Sequence, residues 1–421
     1  MTQRERIAVI GSGAAGIVSA FLLQEVADVT IFEKDRRLGG HTSTVLVPQP
    51  DGSEIPIDTG FIVCNDRTYP NFHRFLERLQ VPWRFADMSF SVVDELTGLQ
   101  YGSKNIDTIF ADRRNLFSGT YWKFLAGIQK FWNQANKDVH NEAVHHLPLR
   151  EYLRRLGTSD DVIQHFILPI SAAIWSTPDK LMLDFPVGIF LKFYANHGLL
   201  SVFNQPRWQT VCGGSYQYLL AFQRQFQGSI LLNAPVQSVT RRARQVEVAT
   251  QDAVLSFDRV IIATHADQVL PILQDPTEAE RELFSTWQYL KNHTVLHTDA
   301  SLLPPNKRAW ASWNYRRELH DDGTRPLSIT YHMNCLQGLD LTTQYLVTLN
   351  SRKEIAKEHI VKEFDYTHPH FTVASMATQP RIKALSGSDR IHYAGSYLRF
   401  GFHEDAVMSA VAVAEQFGVK L

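Results

Sequence analysis

Six residues near the start of the chain, Gly11-Ser12-Gly13-Ala14-Ala15-Gly16, restrict the fold more than any other stretch. They follow a short apolar run, residues 6–10, that reads as a buried strand, and they open an apolar segment of helical length. A second strand, residues 29–32, ends on Glu33. A Gly-x-Gly-x-x-Gly turn between strand and helix, with an acid about twenty residues on, is the fingerprint of a dinucleotide-binding βαβ unit. Gly11 allows the tight turn, Gly13 lets backbone approach a pyrophosphate, and Gly16 lets the helix pack close to the sheet. Ala14 and Ala15 form the first helical turn, whose positive end suits a diphosphate. Glu33 is placed to accept hydrogen bonds from ribose hydroxyls.

Size and composition narrow the class. A chain of 421 residues suggests two or three domains. The formal net charge of -1 provides no basic field, so no nucleic-acid partner is expected. Cys64, Cys212 and Cys335 lie far apart without a CxxC pair, which predicts neither a metal site nor a disulfide framework and fits a reducing compartment. No apolar stretch approaches the roughly 20 residues of a membrane span. Residues 1–6 lead straight into the first strand, so no signal peptide is expected. The expectation is a cytoplasmic protein, with room for peripheral membrane contact at the inner membrane surface.

Along the chain, residues 46–65 read as a hairpin around Pro50-Asp51-Gly52, ending in Asp58-Thr59-Gly60. A helix over 71–79 and strands over 88–93 and 100–102 follow. Residues 105–200 are helical in period and rich in Phe, Trp and Tyr. Strands are expected at 230–232, 236–239, 245–250, 253–257 and 259–263. Further strands at 294–297, 327–333 and 345–350 suggest a mixed sheet, and 390–421 reads as a strand, a turn and a closing helix. The predicted class is α/β with discontinuous domains. Residues 1–65, 201–269 and 386–421 form the nucleotide domain, and 66–200 and 270–385 form a substrate domain. A cofactor held by both ends of the chain points to an integral flavin over an exchangeable nicotinamide.

The segment Glu33-Lys34-Asp35-Arg36-Arg37-Leu38-Gly39-Gly40-His41-Thr42 adds an Arg four residues after the acid and a Gly-Gly pair. Here the chain resembles the flavin-containing amine oxidase superfamily, which includes monoamine and polyamine oxidases, protoporphyrinogen oxidase and carotenoid desaturases. Glu33, Arg37, Gly39 and Gly40 match its pattern, and His41 stands where Arg is usual. Arg37 can neutralise diphosphate charge, and the glycines let amides run under a flavin. The likeness continues in Asp58-Thr59-Gly60-Phe61, in residues 208–214, at Val236, in residues 259–264 with Ala263 and Thr264, in Ala394-Gly395-Ser396 and in Gly401-Phe402-His403-Glu404-Asp405-Ala406. Ser396 replaces a usual acid. Asp405 replaces a glycine and is expected to place a charge near the pyrimidine edge. Amides at the last helix start would face the flavin N1–C2 carbonyl. Residues 58–71, 172–178, 196–200, 310–315 and 401–405 most resemble a bacterial subgroup of predicted NAD/FAD-binding, amine-oxidase-like proteins.

The resemblance implies a Rossmann-like (GR2-type) FAD-binding domain with a mixed-sheet plus helical substrate domain, and noncovalent FAD. It implies an oxidoreductase passing hydride from a substrate C–H to flavin N5, with oxygen or another electron acceptor completing the cycle. Its substrate is an amine or, because the subgroup often accompanies cyclopropane-fatty-acid-synthase-like methyltransferases, a hydrophobic acyl lipid that it would desaturate. The alternatives are a non-redox flavin isomerase or mutase, and a non-catalytic flavoprotein partner of a lipid-modifying methyltransferase. Few acid–base residues are needed when the cofactor carries the chemistry. The candidates are His41, His403, Trp313 and Tyr331, with His197, His265 and Trp175 behind them. Tyr121, Leu125, Ile128 and Trp132 recur at helical spacing, with Lys123, Lys130 and Lys137 outside. They read as a buried amphipathic helix or as a membrane-surface helix. His140, His145 and His146 read as exposed loop residues without ligand spacing.

Overall fold

The computed structural model describes residues 4–421 except 176, 202, 204 and 323–325. Met1 to Gln3 and Ser176, parts of stretches read above, therefore lie outside the described residues.

A parallel sheet runs in the order Ser229–Leu231, Ala27–Phe32, Glu5–Ile10, Arg259–Ile262, Ile391–Tyr393. Its strands come from the start, the middle and the end of the chain. Ile7, Ala8 and Val9 are fully buried, as an unbroken apolar run must be when both faces of a sheet are covered. Alternate side chains serve the two faces. Ile7, Val9, Ile31 and Ile261 pack with the helices Ala14–Leu23 and His403–Glu415. Ala8, Ile10, Phe32 and Ile262 share a core with the antiparallel strands Ser238–Arg241, Val246–Ala249 and Val254–Phe257. Phe32 meets Phe257 edge-on at 5.8 Å. Ile10 pairs with both Phe32 and Ile262, and Ile262 pairs with Tyr393, so the strands end at one level.

A second sheet of seven strands runs Ile360–His370, Gln288–His297, Leu346–Leu349, Leu327–His332, Trp313–Arg317, Phe90–Asp94, Gln100–Gly102. It is antiparallel except where Trp313–Arg317 lies beside Phe90–Asp94. The expected strand at 294–297 is the end of a ten-residue strand, and Ile360–His370 is a strand that the sequence reading lacked. The expected strand at 236–239 instead begins at Ser238, leaving Val236 ahead of the ladder.

Residues 105–200 are mainly helical, including Gly119–Asp138, Leu149–Leu156, Leu168–Trp175 and Val187–Asn196. Gly119–Asp138 begins with Ser118 accepting from the Tyr121 amide. Its Tyr121, Phe124, Ile128 and Phe131 are buried, so the stripe around Tyr121 and Ile128 faces inward and not toward a membrane surface. His145 closes a short helical turn, Glu142–His145, and sits half-buried on the Val139 carbonyl, correcting the exposed-loop reading for that residue. Among the described residues no helix is long and apolar enough to cross a membrane, and no cluster of His, Cys, Asp or Glu could hold a metal ion.

Candidate active site

Because the parallel strands stop together, the residues that follow them converge: Gly11 after Ile10, Glu33 after Phe32, Ala263 after Ile262, Gly395 just beyond Tyr393. In such sheets the crevice beyond the carboxyl ends is where ligands bind. A cavity of about 1150 Å³ opens there and extends between the mixed sheet and the helices. Of the candidate site residues taken from the sequence, all but Gly16 line it: Gly11, Gly13, Ala14, Ala15, Glu33, Lys34, Arg37, Gly39, Gly40, His41, Thr42, Thr59, Gly60, Phe61, Val236, Ala263, Thr264, Gly395, Ser396, Gly401, Phe402, His403, Ala406, Trp313, Tyr331, Trp175, His197 and His265. Gly16 is below the surface. A Cβ there would stand 1.9 Å from the Gly11 carbonyl oxygen, so only glycine lets the helix sit this close to the turn.

Helix Ala14–Leu23 starts with no side-chain cap and no acid in its first turn, yet Ala14 and Ala15 are buried against the cavity. A buried, uncapped helix start is a receptor for an anion. Glu33 holds the turn beside it, accepting from the Ser12 amide at 2.9 Å, the Ser12 hydroxyl and the Asp35 amide at 2.9 Å. Arg37 lines the cavity and also braces the Gly-Gly loop, donating to the carbonyls of Leu38, Gly40 and Thr42. Asp58 fastens the neighbouring hairpin to the helix Tyr216–Gln225, accepting from Thr44, the Ser215 amide and the Ser215 hydroxyl.

Asp405 does not place a charge at the cavity. Its carboxylate turns back to accept from the Phe400 and Phe402 amides at 3.2 and 2.9 Å, with Arg399 at 3.6 Å. Lacking the freedom of glycine, the chain uses the side chain to cap its own turn. Burial pushes this carboxyl up to about 7.

Four histidines form one polar group on the cavity wall. His41 donates from Nε2 to the Thr367 carbonyl at 3.1 Å, which leaves Nδ1 as an acceptor. Its ring lies 5.6 Å from His265, 5.3 Å from His368 and 5.4 Å from Tyr366. His265 stacks on Tyr289 at 4.3 Å. His368 accepts at Nδ1 from Asn292 Nδ2 at 2.9 Å, so its proton sits on Nε2. His403 stacks on Phe61 at 3.8 Å and meets the Tyr218 hydroxyl at 3.3 Å. Burial pushes His265, His368 and His403 down to about 3 and lowers His41 as well, favouring the neutral imidazole in all four. His197 uses both ring nitrogens, on the Phe193 carbonyl and on Thr68 Oγ1, which is a positioning arrangement. Tyr366 and His368 were missed from the sequence. Their signal was the alternation of Phe364, Tyr366 and His368, the two-residue period of a strand.

Trp313 packs edge-on against Tyr331 at 5.2 Å on adjacent strands of the mixed sheet. Opposite the sheet, Ile109, Leu125, Ile128, Trp132, Phe166 and Ile170 supply an apolar wall. Phe166 lies in a single π-helical stretch, Ile163–Ile167, ahead of Leu168–Trp175; such stretches re-aim side chains and recur at functional sites.

A parallel sheet with a glycine turn, an uncapped helix start and an acid on the next strand defines a nucleotide-cofactor protein. The cavity beyond it extends past the glycine turn to the mixed sheet and the helices. The sequence profile of flavin containing amine oxidoreductases matches residues 14–417, and the chain belongs to that family. It is a flavin-dependent oxidoreductase, and the anion-receptive helix start and the glycine loop fit the flavin nucleotide. Among solved structures it is similar to a CLA-producing fatty acid isomerase from P. acnes, with 16% identity, TM-score 0.70 and 99% of each chain covered. It is also similar to a putrescine oxidase bound to putrescine, with 14% identity, TM-score 0.71 and coverage of 98% and 99%. A cyclohexylamine oxidase from Brevibacterium oxydans IH-35A shares 15% identity, TM-score 0.69 and coverage of 99% and 100%. None of the curated protein sequences matches.

Proposed function

We propose that the chain holds FAD noncovalently and uses it to desaturate an acyl chain. The observation that carries the substrate class is the helical wall. From 105 to 200, the described residues that line the cavity are aliphatic or aromatic apart from His197, and none is a carboxylate that could pair with an ammonium group. The acids on the lining are Glu33, Asp35, Asp87 and Asp365. Glu33 is engaged by the glycine turn and Asp87 by Lys104 at 2.5 Å. A volume of about 1150 Å³ exceeds the roughly 300–1,000 Å³ of a site for one drug-sized ligand, which leaves room for a substrate beside a cofactor. Cys64, Cys212 and Cys335 are absent from the lining, in keeping with noncovalent binding.

Bound flavin supplies the acceptor for the hydride lost from a substrate C–H. The chain supplies the rest. The apolar wall aligns the substrate and excludes water, and His41 Nδ1 accepts the proton lost from the adjacent carbon. The Thr367 carbonyl fixes that tautomer. The similarity to a fatty acid isomerase is in keeping with an acyl ligand on this fold.

The test is anaerobic mixing with acyl phospholipids and, separately, with aliphatic amines. Bleaching of the flavin band by the lipid, with a product two hydrogens lighter, supports the proposal. Bleaching by amines alone overturns it. Product of unchanged mass with the flavin still oxidised assigns the chain to isomerisation instead. Acid precipitation should leave the yellow chromophore in the supernatant; colour retained in the pellet refutes noncovalent binding.

A further inference from the structure

The largest outward apolar side chains of the helical region are grouped. Ile106 is 75% exposed, Leu116 41%, Phe117 91% and Trp122 51%. They belong to three short consecutive elements: Ile106–Ile109, Arg113–Phe117 and the start of Gly119–Asp138. Hydrogen bonds hold these elements together. Trp122 Nε1 donates to the Leu116 carbonyl at 3.0 Å, Tyr121 to the Ile109 carbonyl at 2.7 Å, and Arg113 to the Phe110 carbonyl at 3.1 Å. The Trp122 ring rests 5.3 Å from Phe110. The apolar tips are therefore displayed on a braced surface.

Two further observations say what covers that surface. Residues 104–130 contain five basic residues and two acids in a chain of net charge -1. Lys104, Arg113 and Arg114 pair with Asp87, Asp107 and Asp112, while Lys123 and Lys130 are exposed and make no ion pair among the described residues. The patch is also continuous with the cavity. Ile109 and Leu125, on the same helices as Ile106 and Trp122, face inward onto the lining, and the exposed Lys104 lines the cavity too. Aromatic and aliphatic tips beside lysines match the boundary between acyl chains and anionic headgroups.

We infer that Ile106, Leu116, Phe117 and Trp122 dock the protein on an anionic phospholipid bilayer. The surface is distinct from the Tyr121 and Ile128 stripe, which is buried. The inference deepens the acyl-chain proposal and rests on it for its purpose: a docked patch lets a chain pass from the bilayer into the cavity between Ile109 and Leu125.

The experiment is flotation of the flavin-loaded full chain with vesicles of phosphatidylcholine, with and without an equal share of phosphatidylglycerol. The protein should float with the mixed vesicles. Phe117→Asp and Ile106→Asp should each lower the bound fraction at least tenfold, and Lys123→Glu with Lys130→Glu should remove the preference for phosphatidylglycerol. These side chains do not line the cavity, so flavin absorbance and melting temperature should stay at parent values, which shows the variants to be folded. Absence of flotation, or flotation undiminished in Phe117→Asp, overturns the inference. So does a dimer in sedimentation that Phe117→Asp dissolves while vesicles bind nothing, which makes the patch an interface between copies. Flotation requires no turnover. Vesicle binding without flavin bleaching by any acyl lipid therefore sinks the substrate reading and leaves the docking surface standing.

Discussion

Acid should weaken the contribution of the cavity histidines to this fold. His265, His368 and His403 are held down to about 3 by burial, against an ordinary value of 6.5. A depressed folded value means that the unfolded chain takes up protons first as pH falls. The contribution of these rings is complete above 6.5 and is lost progressively toward 3. At about pH 5.5 the loss is about 1.4 kcal/mol for each histidine, or about 4 kcal/mol for three. Asp58, raised to about 6, and Asp405, raised to about 7, act in the opposite sense, since their contributions are complete below 3.8 and fade as pH rises through the folded values. The absolute curve therefore mixes signs, and the informative quantity is a difference between proteins. Urea unfolding of the parent and of a His265→Gln, His368→Gln double variant at about pH 7.5 and pH 5.5 isolates it. The parent should lose about 3 kcal/mol more than the variant over that interval, whatever the variant costs at pH 7.5. Equal losses would show that these rings are not neutral in the fold.

Three further outcomes are expected. Gly16→Val should yield protein without the flavin absorbance band, or insoluble protein, because the new Cβ would lie 1.9 Å from the Gly11 carbonyl oxygen; a normal flavin spectrum would contradict the packing. Glu280→Ala should cost about 3–5 kcal/mol in thermal or urea unfolding. It strips a buried carboxylate from Arg241 and the Tyr393 hydroxyl, and Glu280→Gln should recover part of the loss. Ile128→Trp should narrow the apolar wall and slow oxidation of long acyl chains at least tenfold more than short ones in a chain-length series, with flavin content unchanged.

The glycine-rich half of the candidate site was legible because its determinants are local. A glycine turn, the acid of the next strand and the Gly-Gly pair each need a backbone geometry that few residues allow, and Gly11, Glu33, Gly40 and Gly395 all reach the cavity. Most strands were legible for the same reason. The histidine cluster was not. His265 and His368 each lie 5–6 Å from His41 but come from stretches separated by more than a hundred residues, and the long strand pair Gln288–His297 and Ile360–His370 carries Tyr289 to His265 and His368 to His41. The orientation of the helical layer was also hidden. The periodicity of Gly119–Asp138 marks a stripe but not which neighbour covers it, and of the exposed aromatics Phe117 lies just before that stripe and Trp122 within its span. Asp405 misled for a different reason: where the family pattern has glycine, the carboxylate serves its own turn.

The parallel sheet has a bearing on biosynthesis. Its glycine turn and Glu33 are made about 360 residues before Ile391–Tyr393 and Gly395. At about 5–20 residues per second, some 20–70 s separate the two. Once Arg259–Ile262 has been made, its outer edge lacks its neighbour until Ile391–Tyr393 follows, and the uncapped helix start faces an incomplete pocket. The crevice at the ends of the parallel strands is therefore complete only after residues 391–395 are made. Translation products ended before residue 391 would carry the glycine turn and Glu33 but leave the edge of Arg259–Ile262 open.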